Sequence, residues 1–147
     1  ITKLKEWKEF KISDLMDLLP NRKLIGNKET PKGQYPLVST GQNNHGIIRY
    51  VNEYEYDGEN NKYITCAMTG SSGSSFYQPF KFMVTDRVRV LEIKKDIVIN
   101  PHLISLMMNH LLTGKYSYTN GLTIDKILNE TVSIPIFEWI LFNFKVK

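Results

Sequence analysis

Three stretches of this chain gather side chains that can hydrogen-bond a ligand with little charge of their own. The first, Ser39, Thr40, Gly41, Gln42, Asn43, Asn44, His45 and Gly46, holds a glutamine and two asparagines. A carboxamide presents a donor beside an acceptor, the complement of the N7 and N6 edge of adenine in the major groove. The same residues also suit a solvated hairpin loop. The second stretch is Thr69, Gly70, Ser71, Ser72, Gly73, Ser74 and Ser75. Its glycines permit close backbone approach and its hydroxyls both donate and accept, which fits phosphates, base edges or an ordinary strand connection. It is no nucleotide-binding P-loop, because no Gly-Lys-Ser/Thr closes it and a β-rich run follows. Nor is it a nucleophile elbow, since the run from Gly70 to Ser74 lacks the glycine required at its fifth position. The third stretch, Lys115, Tyr116, Ser117, Tyr118, Thr119 and Asn120, combines one cation with alternating aromatic rings and can clamp a backbone.

Other residues add to these or compete with them. Phe76, Tyr77, Gln78, Phe80, Lys81 and Phe82 read as one strand, with Phe76, Phe80 and Phe82 in the core and Tyr77, Gln78 and Lys81 on the outer face. Arg49 follows the first loop and can pair with guanine, hold a phosphate or neutralise Glu53 or Glu55. Glu92 and Lys94 reproduce the acidic-x-lysine half of a magnesium nuclease site, for which Asp57 or Asp86 would have to supply the second carboxylate. A strand ending in charges explains them as well. His45, His102 and His110 stand apart, and one cysteine cannot build a structural zinc site, so no metal is expected. Asn100 and Pro101 are followed by His102 and Leu103, with no glycine-rich cofactor loop near the start, so a methyltransferase is unsupported.

These loops need a small sheet to carry them. Trp7, Phe10 and Ile12 suggest a short extended opening, and Ser13 is placed to cap a helix from Asp14 to Leu19, ended by Pro20 and Asn21. Strands are expected over Tyr35 to Ser39, Ile47 to Val51, Tyr63 to Met68, Phe76 to Thr85 and Val88 to Ile93. Asn100 offers an N-cap with Pro101 at the first helical position, and Leu103, Leu106, Met107 and Leu111 supply an inward face. A two-turn helix near Thr123 to Leu128 and a strand from Thr131 to Ile134, closed by Pro135, complete the pattern. The fold class is α/β of the α+β kind: a small, bent, mostly antiparallel sheet with a few short helices.

With 147 residues, 41% of them hydrophobic, the chain can bury one core. No repeat or low-complexity linker divides it, so residues 1–135 read as one domain and 136–147 as an apolar tail. The net charge of +4 suits a polyanion without requiring one. It is uneven: residues 1–35 carry eight Lys or Arg against five Asp or Glu, whereas residues 50–62 carry Glu53, Glu55, Asp57 and Glu59 against Lys62. The lone Cys66 forms no intramolecular disulfide and implies a reducing, cytoplasmic setting. The apolar stretch at Ile136 to Phe144, interrupted by Glu138 and Asn143, is too short to span a bilayer, so no membrane partner is expected.

Taken in order, the chain resembles the target-recognition domain of specificity subunits from type I restriction-modification systems. The resemblance runs through Trp7, Phe10, Ile12, Asp14 and Leu15, then Tyr35 to Ser39 and Gly46 to Val51. It is densest at Tyr63, Ile64, Thr65, Gly70, Gly73, Phe76, Tyr77, Gln78 and Phe80, with Asp86, Val88, Val90 and Leu91. Asn100, Pro101 and Leu103, Gly121 to Ile124, and Val132, Ile134 and Pro135 close it. The resemblance implies a domain that grips double-stranded DNA and reads half of a split target, with no catalysis of its own. It places methylation and cleavage, with S-adenosylmethionine, ATP and magnesium, in partner methyltransferase and restriction subunits of a bacterial or archaeal cell. The chain departs from the family after Pro135, where Ile136 to Lys145 replace the lead into a docking helix. The competing expectation is a glycan or small-ligand module with Trp7, Tyr116 and Tyr118 as stacking platforms. Salt separates the two, since only phosphate contacts make affinity fall steeply as salt rises.

Overall fold

The computed structural model describes residues 4–20, 31–116 and 120–137. Its described strands form three small sheets. β1 (Leu4–Lys11) pairs with β10 (Thr131–Phe137) in the first. The second has the order β2-β9-β6-β7, built from Met16–Leu19, Val88–Ile93, Tyr63–Ala67 and Ser75–Tyr77. The third has the order β4-β3-β8-β5, built from Ile47–Val51, Lys32–Val38, Lys81–Val84 and Tyr56–Asp57. All pairings are antiparallel except β3 with β8. Three α-helices, α1 (Ile12–Leu15), α2 (Pro101–Leu112) and α3 (Ile124–Asn129), and a 3-10 turn at Asn44–Gly46 complete the described elements. The mixed class, mostly antiparallel, is the one the sequence indicates.

The alternation in β9 shows how residues choose their sheet. Val88, Val90, Leu91 and Ile93 are buried while Arg89 and Glu92 are partly exposed, so this central strand packs on both faces. One core gathers Ile64, Cys66 and Leu91 from the second sheet with Ile12, Leu15, Ile104, Met108, Leu112 and Ile127 from the helices. A second core, Val38, Phe82, Val84, Val88 and Val90, joins the second sheet to the third. The helix caps follow the sequence rule. Asn100 accepts from the His102 N–H at 2.9 Å, and Thr123 accepts from the Lys126 N–H at 3.3 Å.

Several elements differ from expectation. The helix expected from Asp14 to Leu19 is only the single turn of α1, after which Met16–Leu19 turn into a strand. Leu18 and Leu19 face a ladder partner in β9, opposite Leu91 and Val90, and this pairing overrides a spacing that a helix would also satisfy. Ser13 is not the cap. The N-cap position is Lys11, whose N–H donates to the Asp14 carboxylate at 3.1 Å. Asn21 lies outside the described residues.

The expected strand from Phe76 to Thr85 is two strands in different sheets, parted at Gln78, Pro79 and Phe80. Proline lacks the N–H a ladder needs, and the chain crosses between sheets there. Alternation therefore does not carry across it: Phe82 is fully buried, Phe76 and Phe80 are half-buried, and Gln78 lies inside. On α2 the buried face is Ile104, Ser105, Met108 and Leu112. The expected face of Leu103, Leu106, Met107 and Leu111 is displaced, because packing against β6, β7 and β10 selects the other apolar stripe and leaves Leu106 65% exposed. β10 continues through Pro135 to Phe137 along β1.

Candidate nucleic-acid interface

One end of the second and third sheets is formed by loops that bind one another. The 39–46 loop is closed by the Ser39 N–H donating to the Gly46 carbonyl at 2.8 Å and the Gly46 N–H donating to the Asn43 carbonyl at 2.9 Å. Within it Asn44 and His45 adopt left-handed backbone, with φ of 51° and 56°. Such conformations are held by their surroundings. Here the His45 ring stacks on Phe76, centroids 5.7 Å apart and 4° from parallel, and the His45 carbonyl accepts from Gln78 Nε2 at 2.9 Å. Ser39 Oγ and Thr85 Oγ1, 3.2 Å apart, tie this loop to the turn before β9, and the Thr85 N–H donates to the Val38 carbonyl.

The 69–75 loop sits beside it and is internally organised, not a slack connection. The Gly73 N–H donates to the Ala67 carbonyl at 2.8 Å, the Ser74 N–H to Ser71, and the hydroxyls of Ser72 and Ser75 to the carbonyls of Met68 and Gly73. Both loop glycines are required. At Gly70 (φ 67°) a Cβ would stand 2.8 Å from Thr40 Oγ1, so the two loops meet there; at Gly73 (φ 89°) it would stand 2.6 Å from the Leu112 side chain. The loop therefore also rests on the C-terminal end of α2, where Asn109 Oδ1 accepts from the Ser75 N–H at 3.3 Å and from the Thr113 hydroxyl at 2.8 Å.

The expected contact residues divide accordingly. Gln42, Asn43, Asn44 and His45 are exposed and Ser39 and Thr40 half-exposed, and Thr69, Ser71 and Ser72 share the same end. The side chains of Gln42 and Asn43 have no hydrogen-bond partner among the described residues. Ser74 and Ser75, each 2% exposed, are interior, so their place in a contacting surface is corrected. Gln78 is corrected too. It is fully buried, and its Nε2 also donates to Thr65 Oγ1 at 3.1 Å, so it supports the loop from beneath. Tyr77 is half-buried against the first core, with its ring edge-on to His102 at 4.8 Å.

Five more expected residues lie apart from this end. Arg49 shares the side of β4 that buries Val51, with its Nε and Nη2 atoms buried, while Ile48 and Tyr50 face outward. Lys81 stands 3.9 Å from Glu59 and opposite Asp57, whose carboxyl is held low first by the Asn60 side chain and further by the Lys81 charge. Lys115 donates to both Glu130 oxygens at 2.8 and 2.9 Å, and Tyr116 donates to the same carboxylate at 2.5 Å. Burial and that carboxylate push the Tyr116 phenol up to about 12. Asn120 accepts from Lys126 Nζ at 2.9 Å. Tyr118 lies outside the described residues.

Leu106, Asn109, His110 and Thr113, which sequence reasoning did not place at a site, face Gln42 and Asn43 across one groove. The available signal was a surplus of apolar residues on α2, more than one face can bury. Trp7, a stacking platform in the competing reading, lies on β1 opposite Pro135 and is 57% exposed. Glu92 lies opposite Asp17 in the β2–β9 ladder, Asp57 belongs to the third sheet, and Asp86 is in the turn before β9. No three His, Cys, Asp or Glu among the described residues gather to hold a metal.

Small sheets with ordered polar loops at one end, braced by the C-terminal end of α2, leave an open polar surface there. The chain belongs to the type I restriction modification DNA specificity domain family, which matches residues 4–139. Two relatives in Mycoplasma pneumoniae are described as type I specificity subunits. One is 31% identical over 115 residues, 76% of this chain and 30% of that protein; the other is 26% identical over 135 residues, 88% and 43%. The crystal structure of the S subunit of a type I restriction-modification system from M. genitalium superposes with a TM-score of 0.70 at 13% identity, over 93% of this chain and 36% of that one. At that identity the likeness establishes the fold. The chain thus spans about a third to two-fifths of the relatives it matches.

Proposed function

We propose that this domain reads a short base sequence in double-stranded DNA, one half of a bipartite target, through the 39–46 loop. The observation that carries the reading is the pairing of unengaged, exposed carboxamides at Gln42 and Asn43 with a loop held stiffly from beneath. Rigid presentation matters because a bidentate contact to adenine requires both atoms of the amide in the plane of the base. Thr69, Ser71 and the backbone around Gly70 approach the strand beside it. The recognition unit includes the whole of β10, whose register with β1 runs to Phe137, two residues past the expected boundary at 135.

In this account the chain carries no active site. Methyl transfer with S-adenosylmethionine and cleavage with ATP and magnesium belong to methyltransferase and restriction subunits, in the cytoplasm of a bacterial or archaeal cell. No helix among the described residues is long and apolar enough to cross a membrane.

The test is binding of the purified chain to a randomised duplex pool at a series of salt concentrations. The reading expects affinity that falls steeply with salt, from phosphate contacts, together with enrichment of a motif of about three to five base pairs. Recovery of unrelated sequences would remove base reading. Salt-insensitive binding to sugars instead of DNA would favour the small-ligand alternative.

A further inference from the structure

The groove between the 39–46 loop and α2 has a volume of about 470 Å³ and an unusual lining. On one wall stand the exposed amides of Gln42 and Asn43. On the other stand His110, Thr113 and Leu106, the last of which exposes 65% of its surface, more than any other large hydrophobic residue described. Asn109 at the floor is committed, its Oδ1 accepting from both Ser75 and Thr113. The apolar contact and the free amides therefore point into the same space from opposite sides.

That combination has a specific chemical complement. An A·T pair displays in the major groove the N7 acceptor and N6 donor of adenine, and beside them the O4 and the 5-methyl group of thymine. A carboxamide satisfies the first pair, and an aliphatic side chain covers the methyl. No other standard base pair offers both. Resting on the DNA-reading function proposed above, we infer that this groove recognises an A·T pair, with Gln42 or Asn43 on adenine and Leu106 of α2 against the thymine methyl. The helix is thus a second reading element, fixed to the loops through Gly73, Leu112 and Asn109.

Uracil supplies the test, because it differs from thymine only by that methyl. Synthetic duplexes carrying the motif selected from a randomised pool are remade with uracil at one thymine at a time, and bound by the chain and by Leu106→Ala. At one position the chain should lose about four-fold in affinity, the worth of one buried methyl at ~0.8 kcal/mol. Leu106→Ala should bind the thymine duplex more weakly and lose nothing further on uracil. Leu106 is largely exposed, so its truncation leaves the fold intact, which a thermal melt verifies. Gln42→Ala provides an independent arm, expected to lose preference at the same base pair. A selected motif without A·T, indifference to uracil, or equal uracil sensitivity in Leu106→Ala would overturn the inference while leaving DNA reading intact. Failure to select any motif would instead remove the reading on which it rests.

Discussion

Replacing Gln78 with alanine separates a residue that holds the loop from one that reads DNA. Its side chain is fully buried, and Nε2 donates to the His45 carbonyl at 2.9 Å and to Thr65 Oγ1 at 3.1 Å. Two such bonds contribute about 1 kcal/mol each, and truncation adds a cavity and leaves the acceptors to find water, for a total of about 3 kcal/mol. That total already allows for the relief gained by removing Oε1, which is buried with no hydrogen-bond partner. For a domain of this size each kcal/mol moves the midpoint by about 2–4 °C, so thermal unfolding followed by circular dichroism should shift down by about 6–12 °C. Gln78→Met, which keeps the volume and removes the orphaned acceptor, should lose less. A Gln78→Ala midpoint within a degree of the parent, coupled with lost preference at one base, would show that Gln78 faces the DNA and that the packing argued above is wrong.

Gly73→Ala should cost about 2–3 kcal/mol in chemical denaturation, from left-handed backbone and from a Cβ 2.6 Å from Leu112; a cost below 1 kcal/mol would mean the loop does not rest on α2. Burial alone would raise the Glu130 carboxyl, but hydrogen bonds from Lys115 and Tyr116 and the Lys115 charge together hold it below its ordinary 4.5. Its stabilisation is therefore complete above pH 4.5 and is lost as pH falls through the lower folded value, so the melting difference between the parent and Glu130→Gln should shrink on acidification. A difference that is constant or grows toward low pH would contradict this. The Cys66 thiol, pushed up to about 11 by burial, should resist an aromatic disulfide reagent at pH 8 until the chain is unfolded; fast native labelling would place it at the surface.

Much of the scaffold was legible in the sequence because local rules and packing agree there. Asn100 and Pro101 announce α2, and the valines of β9 announce a central strand. Elsewhere two physical solutions fit the same letters. Leu18 and Leu19 satisfy a helical face as well as a ladder, and only β9, far along the chain, decides between them. Gln78 appeared to face outward because alternation was extended across Pro79, where the strand changes sheet and the count restarts. On α2 both stripes are apolar, and the one that stays exposed is visible only once the sheet is in place. The three polar loops could be read individually. That two of them meet at Gly70 and Thr40, while the third is drawn away by Glu130, depends on distant contacts.

The most direct test of base reading by the 39–46 loop is parallel selection from one randomised duplex pool with the parent chain and with the Gln42→Ala, Asn43→Ala double variant, at matched salt. The parent should enrich one short motif; the double variant should keep its fold and its general affinity for duplex DNA. It should relax preference at one or two base pairs, a loss of about 1–3 kcal/mol for each bidentate contact removed. An identical motif from both proteins, or a uniform loss of affinity across all sequences, would show that this loop positions the backbone and that the bases are read elsewhere.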